Sequence, residues 1–164
     1  MADTVRWSTV AMCMTPSAQT AKDGKYVTTG GVVKFAVGKS GSLVFFTALT
    51  SSLPAGRYVL RATLERDDPT EPNREPSLLG TNVQLRQRPL GTGGISDLLV
   101  IGGGQSLPVL GGNGRYVVDS PGRSLSSGID LSKSFYWVQL ELAQAEPATA
   151  VTRNAVIGLR LIGG

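Results

Sequence analysis

From Gly56 to Glu65 the chain alternates with a period of two. Tyr58, Leu60, Ala62 and Leu64 fall on one side; Arg57, Val59, Arg61, Thr63 and Glu65 fall on the other. Successive side chains of an extended strand point to opposite faces, so the pattern gives one apolar face and one wetted face. A helix would scatter both sets around its circumference. Leu53-Pro54-Ala55-Gly56 places a turn signal just ahead of it. The stretch predicts a half-buried antiparallel strand, whose apolar side needs a second layer to cover it.

The rest of the chain repeats this style. Thr4 to Cys13 reads as a first strand, with Val5, Trp7, Thr9, Ala11 and Cys13 on one face. Thr15 to Gly24 is rich in Ser, Thr and Ala and closes on the turn signal Lys22-Asp23-Gly24. Gly31 to Val37 alternates again, with Val33, Phe35 and Val37 opposed to Lys34. Ser42 to Leu49 is apolar on both faces, which predicts a central strand covered from two sides, by this chain or by another copy. Arg66 to Pro76 holds three prolines and mixed charges and reads as a surface loop. Alternation resumes over Asn82 to Arg88, followed by the short run Leu98-Leu99-Val100-Ile101 between glycine clusters. Gly111 to Gly114 turns the chain into Arg115-Tyr116-Val117-Val118, and Ser120 to Lys133 is loop-like. Phe135 to Leu142 and Asn154 to Ile162 are the last two strands. The expectation is a single all-β domain over residues 1–164: an antiparallel β-sandwich, jelly-roll-like, with eight to ten strands and no helix.

Composition agrees with a packed domain. Of 164 residues, 41% are hydrophobic and 17% charged, too apolar and too weakly charged for a disordered chain. The 21 glycines follow no three-residue period, so a collagen helix is excluded. The net charge is +4, yet no run of bases occurs; Arg86-Gln87-Arg88 is the densest group. Nucleic-acid binding proteins concentrate their bases in an arm or stripe, so nucleic acid is not an expected partner. Nor is a membrane, because no stretch approaches the roughly 18 apolar residues of a spanning helix. Met1 to Val10 carries Asp3 and Arg6 and lacks the apolar centre of a signal peptide, which predicts synthesis and folding in a cytoplasm.

The chain contains no histidine. That removes Ser-His-Asp and Cys-His catalysis and His-ligated zinc. Cys13 is the single cysteine, so no intrachain disulfide forms; on an apolar strand face it is expected to be a small core residue. The glycine clusters spell neither Gly-x-Gly-x-x-Gly nor a phosphate loop ending in Gly-Lys-Ser/Thr. Gly122-Arg123-Ser124-Leu125-Ser126 misses the nucleophile-elbow pattern at its last position. Asp67, Asp68, Glu71 and Glu75 offer oxygen ligands without the spacing of a calcium loop, and read as a solvated charged loop. No catalytic residue, cofactor or metal ligand is assigned, and the chain is read as a non-enzyme.

Two features point to a surface in use. One is the two-sided apolar run Leu43 to Leu49. The other is the register of the penultimate strand: with Leu140 and Leu142 facing the core, Phe135 and Trp137 face out with Gln139 and Glu141. Exposed large aromatics mark an interaction surface or a sugar platform; the other arrangement is that a loop such as Ser120 to Lys133 covers them. Leu43, Phe45, Phe46, Phe135 and Trp137 are the candidate interface residues. A third pattern, Gly-Lys/Arg-Tyr-Val beginning at Gly24, Gly56 and Gly114, has no constant separation and reads as strand initiation with Tyr capping the core.

The compact size, turn-rich β pattern, low charge, missing histidine and leaderless N-terminus resemble structural proteins of virus particles, notably phage head-decoration proteins and small jelly-roll coat proteins. The resemblance covers the whole chain and implies a non-enzymatic virion protein, made in the host cytoplasm, with itself and other virion proteins as partners. Many RNA-packaging coat proteins carry a basic N-terminal arm; Met1 to Val10 does not, which favours a decoration, fibre or DNA-phage shell role. The alternative is a carbohydrate-binding β-sandwich that uses Trp137, Phe135 or the tyrosines. The position of Trp137 separates the two, against another subunit or in an open groove.

Overall fold

A computed structural model describes residues 4–66, 81–102, 109–110, 115–148 and 154–163. In chain order the elements are β1 (Val5–Val10), β2 (Thr15–Pro16), α1 (Ala18–Asp23), β3 (Tyr26–Val27), β4 (Lys34–Phe35), β5 (Gly41–Ala48), β6 (Gly56–Arg66), β7 (Thr81–Pro89) and β8 (Ser96–Ile101). They continue as β9 (Val109–Leu110), β10 (Tyr116–Asp119), β11 (Arg123–Leu125), β12 (Ser134–Gln144) and β13 (Asn154–Gly163). One sheet has the order β1-β13-β6-β10-β9, with β11 also on β6; the other has the order β2-β5-β12-β7-β8. Among the described residues, the strand pairings in both sheets are antiparallel.

Keeping only strands of four or more residues leaves eight among the described residues: β1, β5, β6, β7, β8, β10, β12 and β13. The first pairs the last, the second pairs the seventh, the third pairs the sixth and the fourth pairs the fifth. That is a long two-armed ribbon folded at β7–β8. Rolling it up adds the contacts β13–β6 and β12–β7 and splits the ribbon into two four-stranded sheets. The chain is a jelly roll, an all-β antiparallel sandwich. The eight main strands agree with the expected eight to ten; the further strands are two or three residues long.

The core is what the alternation places inside. Tyr58, Leu60, Ala62 and Leu64 of β6 are buried, and so are Val83 and Leu85 of β7, Val138, Leu140 and Leu142 of β12, and Leu159 and Leu161 of β13. Tyr58 keeps its hydroxyl satisfied by donating to the Pro54 carbonyl at 2.7 Å. Burial pushes that hydroxyl above its ordinary pKa of 10.0, with the Arg6 charge opposing. Tyr116 is buried as well, and Tyr26 meets Phe45 edge-on at 5.0 Å, so the three echoed tyrosines are core or core-edge residues.

Several expectations need correction. The first strand stops at Val10, because a 3₁₀ turn over Ala11–Cys13 resets the alternation: Ala11 and Met14 turn inward, while Met12 and Cys13 turn out. Cys13 is an exposed free thiol rather than a core residue. Val5 is also exposed, next to a register shift between Val5 and Trp7. A helix, α1, is present where none was expected. Ser17 caps it by accepting from the Thr20 N–H, and Gly24 closes it in the left-handed conformation at φ 59°. Six residues are too few to show a helical period in the sequence. Val33 and Phe35 are buried as expected, but Val37 is exposed, since the chain turns at Ala36–Lys39 around Gly38. The loop-like Ser120 to Lys133 contains β11. The acidic loop Asp67 to Glu75 and the turn Gly111 to Gly114 lie outside the described residues.

Candidate functional site

The strand β12 lies between β5 and β7, and its alternation sends Phe135, Trp137, Gln139 and Glu141 to the outer face of that sheet. Register then fixes their neighbours. Trp137 stands opposite Arg86 on β7, and Arg86 opposite Asp97 on β8. Gln139 stands between Gln84 and Phe46. Glu141 lies between Asn82 and Val44, and Phe135 is opposite Arg88.

Hydrogen bonds lock this arrangement. Arg86 donates from Nε to Asp97 Oδ1 at 2.7 Å and from Nη1 to Gln139 Oε1 at 3.2 Å. Gln139 donates from Nε2 to Glu141 Oε1 at 3.1 Å. The Arg86 guanidinium also lies 5.9 Å from the centre of the Trp137 ring, a cation–π contact. Gln139 is only 7% exposed although it sits on an outer face, and both ends of its amide are engaged. A buried amide held at both ends does not rotate freely, so the chain Asp97–Arg86–Gln139–Glu141 is preorganised. The far end is anchored too: Arg123 reaches over from the other sheet and donates to the carbonyls of Asp97 and Leu98 at 3.2 and 3.1 Å.

The five candidate residues divide. Leu43 is 0% and Phe45 1% exposed; both face the core, so they are packing residues and cannot contact a partner. Phe46 and Trp137 are half-buried on the outer face. Phe135 is 63% exposed. The apolar run of β5 is thus two-sided for an internal reason. Its inner side chains fill the core, while Val44 and Phe46 are flanked by Glu141 and Gln139 of β12. Its free edge is closed by β2 and α1, where the Val44 N–H donates to Thr20 Oγ1 and the Ser17 N–H donates to the Val44 carbonyl, both at 2.8 Å.

Arg86 and Asp97 were missed as site residues. Alternation with Val83 and Leu85 already puts Arg86 on the outer face; what the sequence does not supply is the strand register that sets it over Trp137. Chemically, the face offers an open aromatic ring, an indole backed by a guanidinium, and fixed amide and carboxylate groups. Among the described residues no three of His, Cys, Asp and Glu gather as a metal site. No helix of the described residues is long and apolar enough to cross a membrane.

No protein-family model matches the chain, and no curated protein matches it. Among solved structures it is similar to TmCBM61 in complex with β-1,4-galactotriose, with 13% sequence identity and a TM-score of 0.36, over 96% of this chain and 88% of that one.

Proposed function

We propose that this chain is a carbohydrate-binding β-sandwich without catalytic activity, and that the outer face of the β12 sheet is its binding surface. The observation that carries the reading is the preorganised chain Asp97–Arg86–Gln139–Glu141 lying beside Trp137 and Phe135. A sugar ring presents an apolar C–H face and a rim of hydroxyls. Phe135 offers a surface for the first, and the carboxylates, guanidinium and amides of Gln84, Arg86, Asp97 and Glu141 offer partners for the second. Groups already fixed in place lose little conformational entropy on binding, which favours affinity from a shallow surface.

The test is titration calorimetry against a panel of neutral oligosaccharides. The expected result is binding to one of them with a Kd of about 1 mM or below, equivalent to about 4 kcal/mol. Trp137→Ala and Phe135→Ala should each weaken it about tenfold or more while leaving the melting temperature within a few degrees. Absence of binding across the panel, or binding untouched by both changes, would remove the reading.

A second reading is a virion building block that self-associates, supported by exposed apolar residues at one end of the same sheet. Leu90 is 49%, Ile95 50% and Phe135 63% exposed, where β12 begins and the β7–β8 connection turns. Light scattering separates the two. A stable oligomer dispersed by Phe135→Ser supports assembly; a monomer at high concentration that binds sugar supports the first reading.

A further inference from the structure

The opposite face of the sandwich has a different character. The outer surface of the β1-β13-β6-β10 sheet carries Arg6, Arg57, Arg61, Arg115 and Arg160 against the carboxylates of Glu65 and Asp119. Arg61 is neutralised locally by a two-pronged pair with Asp119, at 2.7 and 2.8 Å. Arg160 stands directly across from Arg61 on β13, and like charges opposite one another in a sheet repel. Both Arg115 and Arg160 are exposed, and among the described residues neither forms an ion pair.

A hollow lies between these two. It has a volume of about 230 Å³ and is lined by both arginines together with Ser8, Thr63 and Gly158. Its origin is a bulge. The register of β13 on β6 shifts between Val156 and Gly158, which adds Ile157 to the strand. Gly158 then sits between Val10 and Thr63 with no side chain to fill the outer face. Glycine is required there, since a Cβ would stand 2.9 Å from the Thr9 carbonyl oxygen.

We infer that this hollow binds a tetrahedral oxyanion, sulfate or phosphate, either free or as the ester group of a larger ligand. Two guanidinium groups supply charge-assisted donors, and the hydroxyls of Ser8 and Thr63 supply neutral ones, the donor set that such anions select. The site lies on the sheet opposite the proposed sugar face, so it stands or falls independently of that reading.

The test is thermal unfolding and two-dimensional amide NMR of the whole chain. Sodium sulfate, sodium phosphate and their methyl esters are titrated at low millimolar concentration against sodium chloride of equal ionic strength. The expected result is a saturable rise in melting temperature with sulfate or phosphate and not with chloride. Shifts should centre on residues 8–10, 63, 115 and 157–160. Arg115→Gln and Arg160→Gln should each weaken binding about tenfold. Arg57→Gln, on the same face outside the hollow, should leave it unchanged. Binding of the methyl esters marks a site open to a polymer-borne group; binding of the free ions alone marks a closed anion site. Either form supports the inference. No saturable response to any of the four anions would overturn it, as would equal loss in all three variants, the mark of a diffuse charged surface.

Discussion

Tyr58, Leu60 and Arg61 show how a single position in β6 decides what a side chain does. Leu60 is fully buried between the sheets, whereas Arg61 lies on the outer face in its pair with Asp119. Leu60→Ala should therefore cost about 2–5 kcal/mol in chemical denaturation, as a large-to-small change in a packed core. Arg61→Ala should cost about 1 kcal/mol or less, since partly exposed ion pairs contribute little. Equal costs would mean that the faces are reversed. Tyr58 makes a separate prediction about pH. Burial raises the pKa of its hydroxyl, so the folded state holds the proton above pH 10.0, where the unfolded chain begins to release it. That contribution is complete below the unfolded value and is lost as pH climbs through the folded one. Stability measured from pH 8 to 11 should fall at the alkaline end, and Tyr58→Phe should flatten that part of the fall. These residues were legible in the sequence because one face of β6 is buried and the other is not, which is the condition under which alternation carries information. Cys13 was not legible, because a 3₁₀ turn beginning at Ala11 changes the face without changing the composition.

At the scale of elements, the long strands were readable and their partners were not, while short strands such as β11 were read as loop. The last two strands announce themselves in Phe135 to Leu142 and Asn154 to Ile162, yet nothing local says that Trp137 meets Arg86 or that Arg160 meets Arg61. The candidate site depends on those registers, which is why only its aromatic half was foreseen. Ser120 illustrates a join that no propensity reveals. Along one edge of β6, β10 covers Arg61 to Leu64 and β11 covers Gly56 to Tyr58, with Pro121 interrupting between them. At the gap, the Leu60 N–H donates to Ser120 Oγ at 3.0 Å, and the Ser120 N–H donates to the Leu60 carbonyl at 2.8 Å. The hydroxyl thus serves as the acceptor for the Leu60 N–H at the point where Pro121 interrupts the ladder. Ser120→Ala should cost about 1–3 kcal/mol, the penalty for leaving a buried N–H unsatisfied. Hydrogen exchange at the Leu60 amide should accelerate at the same time. A variant as stable as the parent, with the amide still protected, would show that water or a backbone shift takes over the role.

At the largest scale the decisive contact is the one between the first and last long strands, β1 and β13. A jelly roll brings the first long strand beside the last, and here β1 lies on the edge of β13 across most of the chain's length. The Gly163 N–H donates to the Thr4 carbonyl at 2.9 Å, and Arg6 Nε donates to the Gly163 carbonyl at 2.7 Å. Trp7 packs half-buried against the core opposite Leu161. β1 is thus the lid of one sheet edge, holding no covalent link to its partner except through every other strand. A chain lacking residues 1–10 should leave β13 as an open edge with an apolar side uncovered, a state that invites pairing with other chains. The expected outcome is a lower melting temperature and association visible by light scattering. A synthetic peptide of residues 1–10 added in trans should dock on β13 as a strand and restore a soluble, more stable protein, with Trp7 fluorescence reporting its burial. Rescue should fail when the peptide carries Trp7→Ser, because the strand hydrogen bonds remain but the side chain that seals the core does not. If the truncated chain melts at the parent temperature and stays dispersed, β13 closes its sheet without β1, and the two-armed pairing of this ribbon is not what holds the sandwich together.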